Sequence, residues 1–218
     1  MSNTSNNKAN KGSKFWIQEI VNNDPLRSRL EKMLDENLRF YSPLQAESYK
    51  EYQLKEQKIF SEVLGLSQKD FKEKFSFWST NQPHWDAIAL SDEDILYLFE
   101  AKAHLKEIYS KITAINVNSI KKITNAMRIT FEQISAGTAN FSSWLEKYYQ
   151  LGNRFTFVHR MNQINLPTKL ILLNITDDKT YIPTPQEDWQ NHYEKIFQEM
   201  LGKNSPPPNV RTIYFSGR

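Results

Sequence analysis

The sequence of 218 residues contains no cysteine. That excludes a disulfide framework and a thiolate metal site. No apolar run is long enough to span a bilayer, and the first residues lack the apolar stretch of a secretory signal. No Gly/Ser-rich linker divides the chain, and no repeat of about 20–50 residues recurs. No zinc finger or helix-turn-helix is readable, so a ready-made base-reading element is missing too. These absences imply one domain working in the cytoplasm. The Asn/Ser/Lys-rich residues 1–14 are expected to be a disordered tail, and residues 15–218 a single domain able to bury a sizeable core.

A global charge signature is also lacking. The net charge is +3, but Lys8, Lys11 and Lys14 supply three positives, and residues 15–218 balance at 25 basic against 25 acidic side chains. The distribution says more. Residues 15–100 hold 10 basic and 16 acidic side chains, whereas residues 101–170 hold 10 basic and 3 acidic. A basic block of that kind can track a phosphate backbone.

What is present is a misplaced triad of charges. Ile95 to Phe99 is an apolar run suited to a strand buried on both faces, and it ends in Glu100-Ala101-Lys102. Before it stand Asp86-Ala87-Ile88-Ala89-Leu90 and the acidic turn Asp92-Glu93-Asp94. Side chains alternate along a strand, so Leu96, Leu98, Glu100, Lys102 and His104 share a face. A three-residue hairpin loop sets Ser91 opposite Ile95 and therefore Asp86 opposite Glu100. Directly opposed residues have Cβ atoms roughly 4.5–5.5 Å apart. A one-residue slip would send the carboxylates to opposite faces. Two close carboxylates repel, and a hard divalent cation, Mg²⁺ or Mn²⁺, removes the conflict. Asp86 and Glu100 are the expected metal ligands, with the Ala101 carbonyl as a third oxygen. Lys102 is placed to hold the attacking water or to stabilise charge building on a phosphate. The competing reading is a strand end carrying an ordinary ion pair.

The rest of the pattern is α/β. Helices are expected from Asp24-Pro25 through the Leu26/Leu30/Met33/Leu34/Leu38 stripe and from Ser42-Pro43 to roughly Leu64. Further helices are expected along Ile120/Ile123/Met127/Phe131/Ile134, along Trp144/Tyr148/Leu151/Phe155/Val158, and after a capping box at Thr184-Pro185-Gln186-Glu187. Lys169 to Ile175 and Val210 to Phe215 read as strands. Strands between helices imply a three-layer α/β/α sandwich with a central mixed sheet. Trp78, Trp85 and Trp144 read as core.

The triad resembles the active-site signature of the PD-(D/E)XK nuclease superfamily, whose fold is restriction-endonuclease-like. More narrowly, the chain resembles an uncharacterised bacterial family within it. Pro83-His84-Trp85-Asp86-Ala87 and Glu100-Ala101-Lys102-Ala103-His104 carry the resemblance. Trp144, Tyr148-Tyr149-Gln150-Leu151-Gly152-Asn153-Arg154, Leu170 to Asp178 and Pro185 to Trp189 continue it downstream. Ser42-Pro43-Leu44 and Glu51-Tyr52 extend it upstream. Gly152 stands where the family usually has Ala. The resemblance implies a Mg²⁺- or Mn²⁺-dependent nuclease acting on nucleic acid, with DNA as the expected substrate. Gln150 would assist catalysis and Arg154 would clamp phosphate from the flank of its helix, the other reading being a satisfied polar pair there; His104, on the face of Glu100 and Lys102, would contact substrate or serve as a hydrogen-bonded structural histidine. A helix carboxylate would join the metal: Glu51 by the family match, Glu56 by helical periodicity. The alternative is an inactive nucleic-acid-binding or assembly module with the same fold.

Overall fold

A computed structural model describes residues 7–217. Five strands form one sheet in the order β1 (Leu38–Ser42), β2 (Ala87–Ser91), β3 (Leu96–Lys102), β4 (Thr168–Thr176) and β5 (Val210–Ser216). β1, β2 and β3 are antiparallel neighbours, while β4 and β5 run parallel to β3. The sheet is therefore mixed, as expected from a hairpin followed by helical crossovers.

Side-chain alternation divides the core. Ile88, Leu90, Leu96, Leu98, Leu170 and Leu172 join one cluster under α4 (Val117–Ile134), α5 (Phe141–Glu146), α6 (Tyr149–Gln163) and α7 (Gln186–Leu201). Ala87, Ala89, Tyr97, Phe99, Ile171 and Leu173 join a second, with Ile17, Ile20 and Val21 of α1 (Gly12–Asn22) and Leu30 and Leu34 of α2 (Asp24–Leu34). Helices cover both faces, an arrangement compatible with an α/β sandwich. Trp78, Trp85 and Trp144 are all core. No helix among the described residues is long and apolar enough to cross a membrane.

The β2–β3 loop sets the register. Ser91 N–H donates to the Ile95 carbonyl at 3.0 Å, Asp94 N–H donates to the Ser91 carbonyl at 3.1 Å, and Asp94 is left-handed at φ 57°. This is a tight turn followed by a left-handed residue, the three-residue hairpin pattern. The ladder pairs Leu90 with Leu96, Ala89 with Tyr97, Ile88 with Leu98 and Ala87 with Phe99. It is the register the loop length implied.

Several expected elements differ. Helix α1 begins at Gly12, and Ala9 N–H donates to Gln18 Oε1, so residues 9–14 are not a free tail. Residues 1–6 of the expected tail lie outside the described residues. Leu38 continues the stripe of α2 on paper, but Asp35 turns left-handed at φ 59° and ends that helix, and Leu38 opens β1. The side-chain cap of α2 is Asn23, one residue ahead of the expected Asp24. The helix expected from Ser42 to Leu64 does not form. The residue before Pro is steered toward extended backbone, and Ser42 ends β1 accordingly. Only a 3-10 turn (Gln45–Glu47), a π-helical turn (Lys58–Val63) and the short α3 (Gln68–Lys74) follow. The single helix expected across Trp144 and Tyr148 is two. Ser110 bridges to Tyr148, and its Oγ accepts the Gln150 N–H at 2.9 Å, so the chain turns between α5 and α6. The capping box before α7 is not made: Pro185 takes the cap position, and the Thr184 hydroxyl faces the Ala103 carbonyl at 3.4 Å.

Candidate functional site

The site lies where β2 and β3 part. The ladder ends at Ala87–Phe99, and one residue on the Asp86 N–H donates to the Phe99 carbonyl at 3.2 Å, so Asp86 departs from the regular pairing that would set it opposite Glu100. The chain bends at Asp86, and its Oδ2 accepts the Ala101 N–H at 2.7 Å. A side chain thus closes the hairpin where the backbone ladder stops. Just upstream, Trp85 forms an antiparallel bridge with Tyr52, its N–H donating to the Tyr52 carbonyl at 3.1 Å. Continuing that bridge by one residue places Glu51 opposite Asp86. Of the two candidate helix carboxylates, Glu51 is the one brought to the site, although it arrives on an extended segment rather than a helix. Glu56 is occupied elsewhere: it pairs with Lys50, and its Oε1 accepts the Gln53 N–H at 3.0 Å.

Glu100 and Lys102 point the same way from β3, two residues apart, and both are buried. Lys102 Nζ donates to Glu100 Oε1 at 2.5 Å. Glu100 Oε2 accepts from Arg154 Nε at 2.6 Å. Arg154 also donates to the His84 carbonyl at 2.8 Å and to Asn153 Oδ1 at 2.9 Å, and its guanidinium lies 4.5 Å from the centroid of the Trp85 ring. The sequence pattern places Arg154 on the helix flank, bordering both core and outside, as a phosphate clamp. That placement is corrected: Arg154 is 4 % exposed and committed to Glu100. A Glu in an apolar strand needs a partner, and an Arg in a helical stretch buried from Leu151 to Val158 needs one as well. Each was the signal for the other.

The electrostatics separate the two acids. Burial and the neighbouring Glu100 push the Asp86 carboxyl up to about 7, with Glu51 adding to the rise. Burial works against ionisation of Glu100 too, but Arg154 and Lys102 outweigh it and hold that carboxyl down at about 2. Burial opposes the charge on Lys102, yet Glu100 and Asp86 overcome this and raise its pKa, so it stays an ammonium. Two neighbouring carboxylates with pKa values driven apart are a recognised feature of catalytic centres.

Other residues fall into place around this core. Gln150 is half-buried in the first turn of α6, one turn before Arg154 and so on the same helix face. His104 leaves the face it was expected to share. Strand β3 ends at Lys102, and the His104 ring turns to Glu107 at 3.3 Å and to Tyr181. It ties the strand end to the following turn rather than facing the carboxylates. Asn174 pairs with Lys102 across β3 and β4, and its Oδ1 accepts the Tyr193 hydroxyl at 3.0 Å. Burial, then the Glu100 charge, raise the Tyr193 pKa. This buried pair beside the site reads as core in the sequence, because Tyr193 sits squarely in the apolar stripe of α7.

The hard oxygens at the site that would suit Mg²⁺ or Mn²⁺ are those of Asp86, Glu100 and the Ala101 carbonyl, while Glu51, next in line by register, has its Oε1 3.6 Å from Lys14 Nζ. The bond from Ala101 uses Oδ2 of Asp86 and leaves Oδ1 for a ligand. Each Glu100 oxygen already accepts from a cation but keeps a second lone pair. No group of three or more His, Asp or Glu side chains gathers with metal-binding geometry among the described residues. Lys102 and Arg154 supply the positive charge that a buried Glu100 requires. Set beside known protein families, curated proteins and solved structures, the chain matches none of them.

Proposed function

We propose that the protein is a metal-dependent hydrolase of phosphodiester bonds, built on a restriction-endonuclease-like version of the α/β sandwich, with DNA as its substrate. One observation carries this reading: Asp86 accepts the Ala101 N–H at the end of β3, beside Glu100 and Lys102, and nothing in packing alone calls for three charges at the end of a buried strand. Asp86, Glu100, the Ala101 carbonyl and Glu51 would hold Mg²⁺ or Mn²⁺. When bound, the ion supplies Lewis acidity toward a phosphoryl oxygen and lowers the pKa of a water. Lys102 remains protonated, so its part is to donate a hydrogen bond, orienting the attacking water and stabilising charge on the phosphate. Glu100 holds that ammonium in place. Gln150, one turn from Arg154, assists from the edge. Arg154 acts as a positioning residue through Glu100 and the His84 carbonyl rather than on substrate.

The test is a cleavage assay on linear, circular and single-stranded DNA with Mg²⁺, Mn²⁺ or chelator. Cleavage that needs the metal and falls at least about 10²-fold in Lys102→Ala supports the reading; cleavage undiminished in Lys102→Ala contradicts it. A second reading has its own observation. Glu100 is already neutralised by two cations, Lys102 and Arg154, so the cluster is electrically complete without a metal. On that reading the fold binds nucleic acid without cutting it, and the wild type gives no cleavage under any of these conditions.

A further inference from the structure

The first two turns of α6 serve two places. Arg154 bonds Glu100 of the carboxylate cluster, and Gln150 lies one turn before it on the same helix face. Tyr149 and Asn153, also one turn apart, line a cavity of about 330 Å³. Residues 78–83, which lead into Asp86, form a second wall, and Asn116, Ser119 and Ile123 form a third. The cavity and the cluster meet at Asn153, whose Oδ1 accepts from Arg154.

The lining has a definite chemistry. Among the described residues, no Asp, Glu, Lys, Arg or His faces this cavity; its polar groups are amides and hydroxyls, interleaved with Trp78, Pro83 and Ile115. Such walls cannot neutralise an ion, so a phosphate or a metal does not belong there. A neutral, flat, hydrogen-bonding group does, and the volume is at the small end for ligand pockets. Gln82 sharpens this. It is 6 % exposed, and its Oε1 is buried with no hydrogen-bond partner among the described residues. An unpaired buried acceptor is costly, and an N–H from a guest would relieve it. Ile115, 93 % exposed, adds apolar surface at the rim.

A second depression shares Trp78, Ser79 and Gln82 with the cavity. Its walls carry Phe60, Phe71 and Phe75 together with the exposed Lys55, Lys72 and Lys122 and no acidic side chain, and Lys55 Nζ donates to the Thr80 carbonyl at 2.9 Å. A neutral seat therefore adjoins a cationic one. That pairing matches a nucleotide chain, whose bases are neutral and whose phosphates are anionic.

We infer that this surface seats single-stranded nucleic acid, with one unstacked base in the neutral cavity and the adjoining phosphates along the three lysines. The inference rests on the hydrolytic reading above, since it names the strand presented to that site. A base inside a duplex cannot enter the cavity, so the seat selects single-stranded or locally opened substrate. A rotation of the buried Gln82 amide toward the cavity would let its Oε1 accept from an exocyclic amino group of the base.

The test is fluorescence anisotropy in chelator, so that cleavage plays no part, on the full chain. The probes are a single-stranded oligodeoxynucleotide, an abasic strand of the same length and the matching duplex. The normal strand is expected to bind at least tenfold tighter than either of the others. Ser119→Phe, which fills the cavity, should bring normal and abasic strands within twofold while leaving abasic affinity unchanged. Gln82→Leu, a smaller change, should cut the difference at least threefold. Lys72→Ala combined with Lys122→Ala should weaken both strands alike and lower the salt slope by about 1.4, at about 0.7 per phosphate contact. Equal binding of normal and abasic strands by the wild type overturns the inference. So does a base preference that survives both cavity variants, or a duplex that binds as tightly as the single strand. A retained base preference with no cleavage in Mg²⁺ supports the seat and overturns the hydrolytic reading instead.

Discussion

Two acid–lysine clusters sit at opposite ends of β3 and on opposite faces of the sheet. At the N-terminal end, Lys169 Nζ lies 2.8 Å from both Glu36 Oε1 and the Tyr97 hydroxyl, and Tyr97 donates to Glu36 at 2.6 Å. At the C-terminal end, Glu100 pairs with Lys102 and Arg154 while Asp86 accepts the Ala101 N–H beside them. The bonds are alike in length; the surroundings are not. The side chains of Lys169 and Glu36 are 39 % and 21 % exposed, those of Lys102 and Glu100 10 % and 2 %. Water can replace any partner in the first cluster and few in the second. The first also has a single acid, fully matched, whereas the second carries an additional carboxylate whose charge burial opposes. An ion pair on a strand end is therefore uninformative by itself; burial together with a surplus acid is what marks a site.

Removing the acid from each cluster should separate them most. Glu100→Ala leaves Lys102 and Arg154 buried without a counter-charge and should cost about 3–5 kcal/mol. Glu36→Ala should cost under about 1 kcal/mol. Denaturant unfolding at pH 7 measures both, and equal losses would erase the distinction. The lysines should separate next, through function rather than stability. Lys102→Ala should lower cleavage by about 10²–10³-fold, the scale of one lost transition-state donor. Lys169→Ala should leave the rate unchanged, and a comparable loss there would remove the special role given to Lys102.

A finer comparison lies within the site. Asp86 is raised to about 7 in the fold from an ordinary value of 3.8. Its raised pKa favours the folded state while the group is protonated, and that advantage disappears as pH rises from about 4 through about 7. Glu100, held down at about 2, behaves oppositely: its contribution is present above its ordinary value of 4.5 and is lost only as pH falls toward 2. In chelator, Asp86→Asn should therefore match the wild type near pH 4 and exceed it by on the order of 1–2 kcal/mol at pH 8. Unfolding curves at the two pH values check this, and a stability gap that does not change with pH would contradict the raised carboxyl.

The smallest expected effect concerns Gly152. A Cβ on Gly152 would stand 2.5 Å from Met127 Cε and 3.2 Å from the Trp144 carbonyl oxygen. The methionine can move, but the helix backbone cannot move easily. Gly152→Ala should therefore lose roughly 1 kcal/mol despite the better helix propensity of Ala. A gain in melting temperature would show that α5 and α6 have slack between them.

Much of the hairpin was legible because its information is local. A three-residue acidic loop and alternating side chains fix the pairing from Leu90–Leu96 to Ala87–Phe99, which brings Asp86 and Glu100 to the same end of the hairpin, but not the local departure at Asp86. The stripes of α4 and α7 were legible for the same reason. Strand β1 was not, because Leu38 falls on the i+4 position of the preceding helix and only the left-handed turn at Asp35 reveals the break. The turn between α5 and α6 was hidden as well; it depends on Ser110, which is 38 residues before Tyr148. Arg154 was recognised as important but misplaced, since helical periodicity gives a face and not a depth. Its burial follows from packing α6 over β3 and β4. The cavity beside Asn153 is assembled from three separated segments and left no trace in any local pattern.

The central claim is that Asp86 and Glu100 together hold a divalent cation. Calorimetric titration of Mn²⁺ into the wild type and into Asp86→Asn tests it most directly. The account predicts saturable uptake by the wild type at a single site and at least tenfold weaker binding by the variant. No measurable uptake by the wild type, or equal affinity in both proteins, would contradict it.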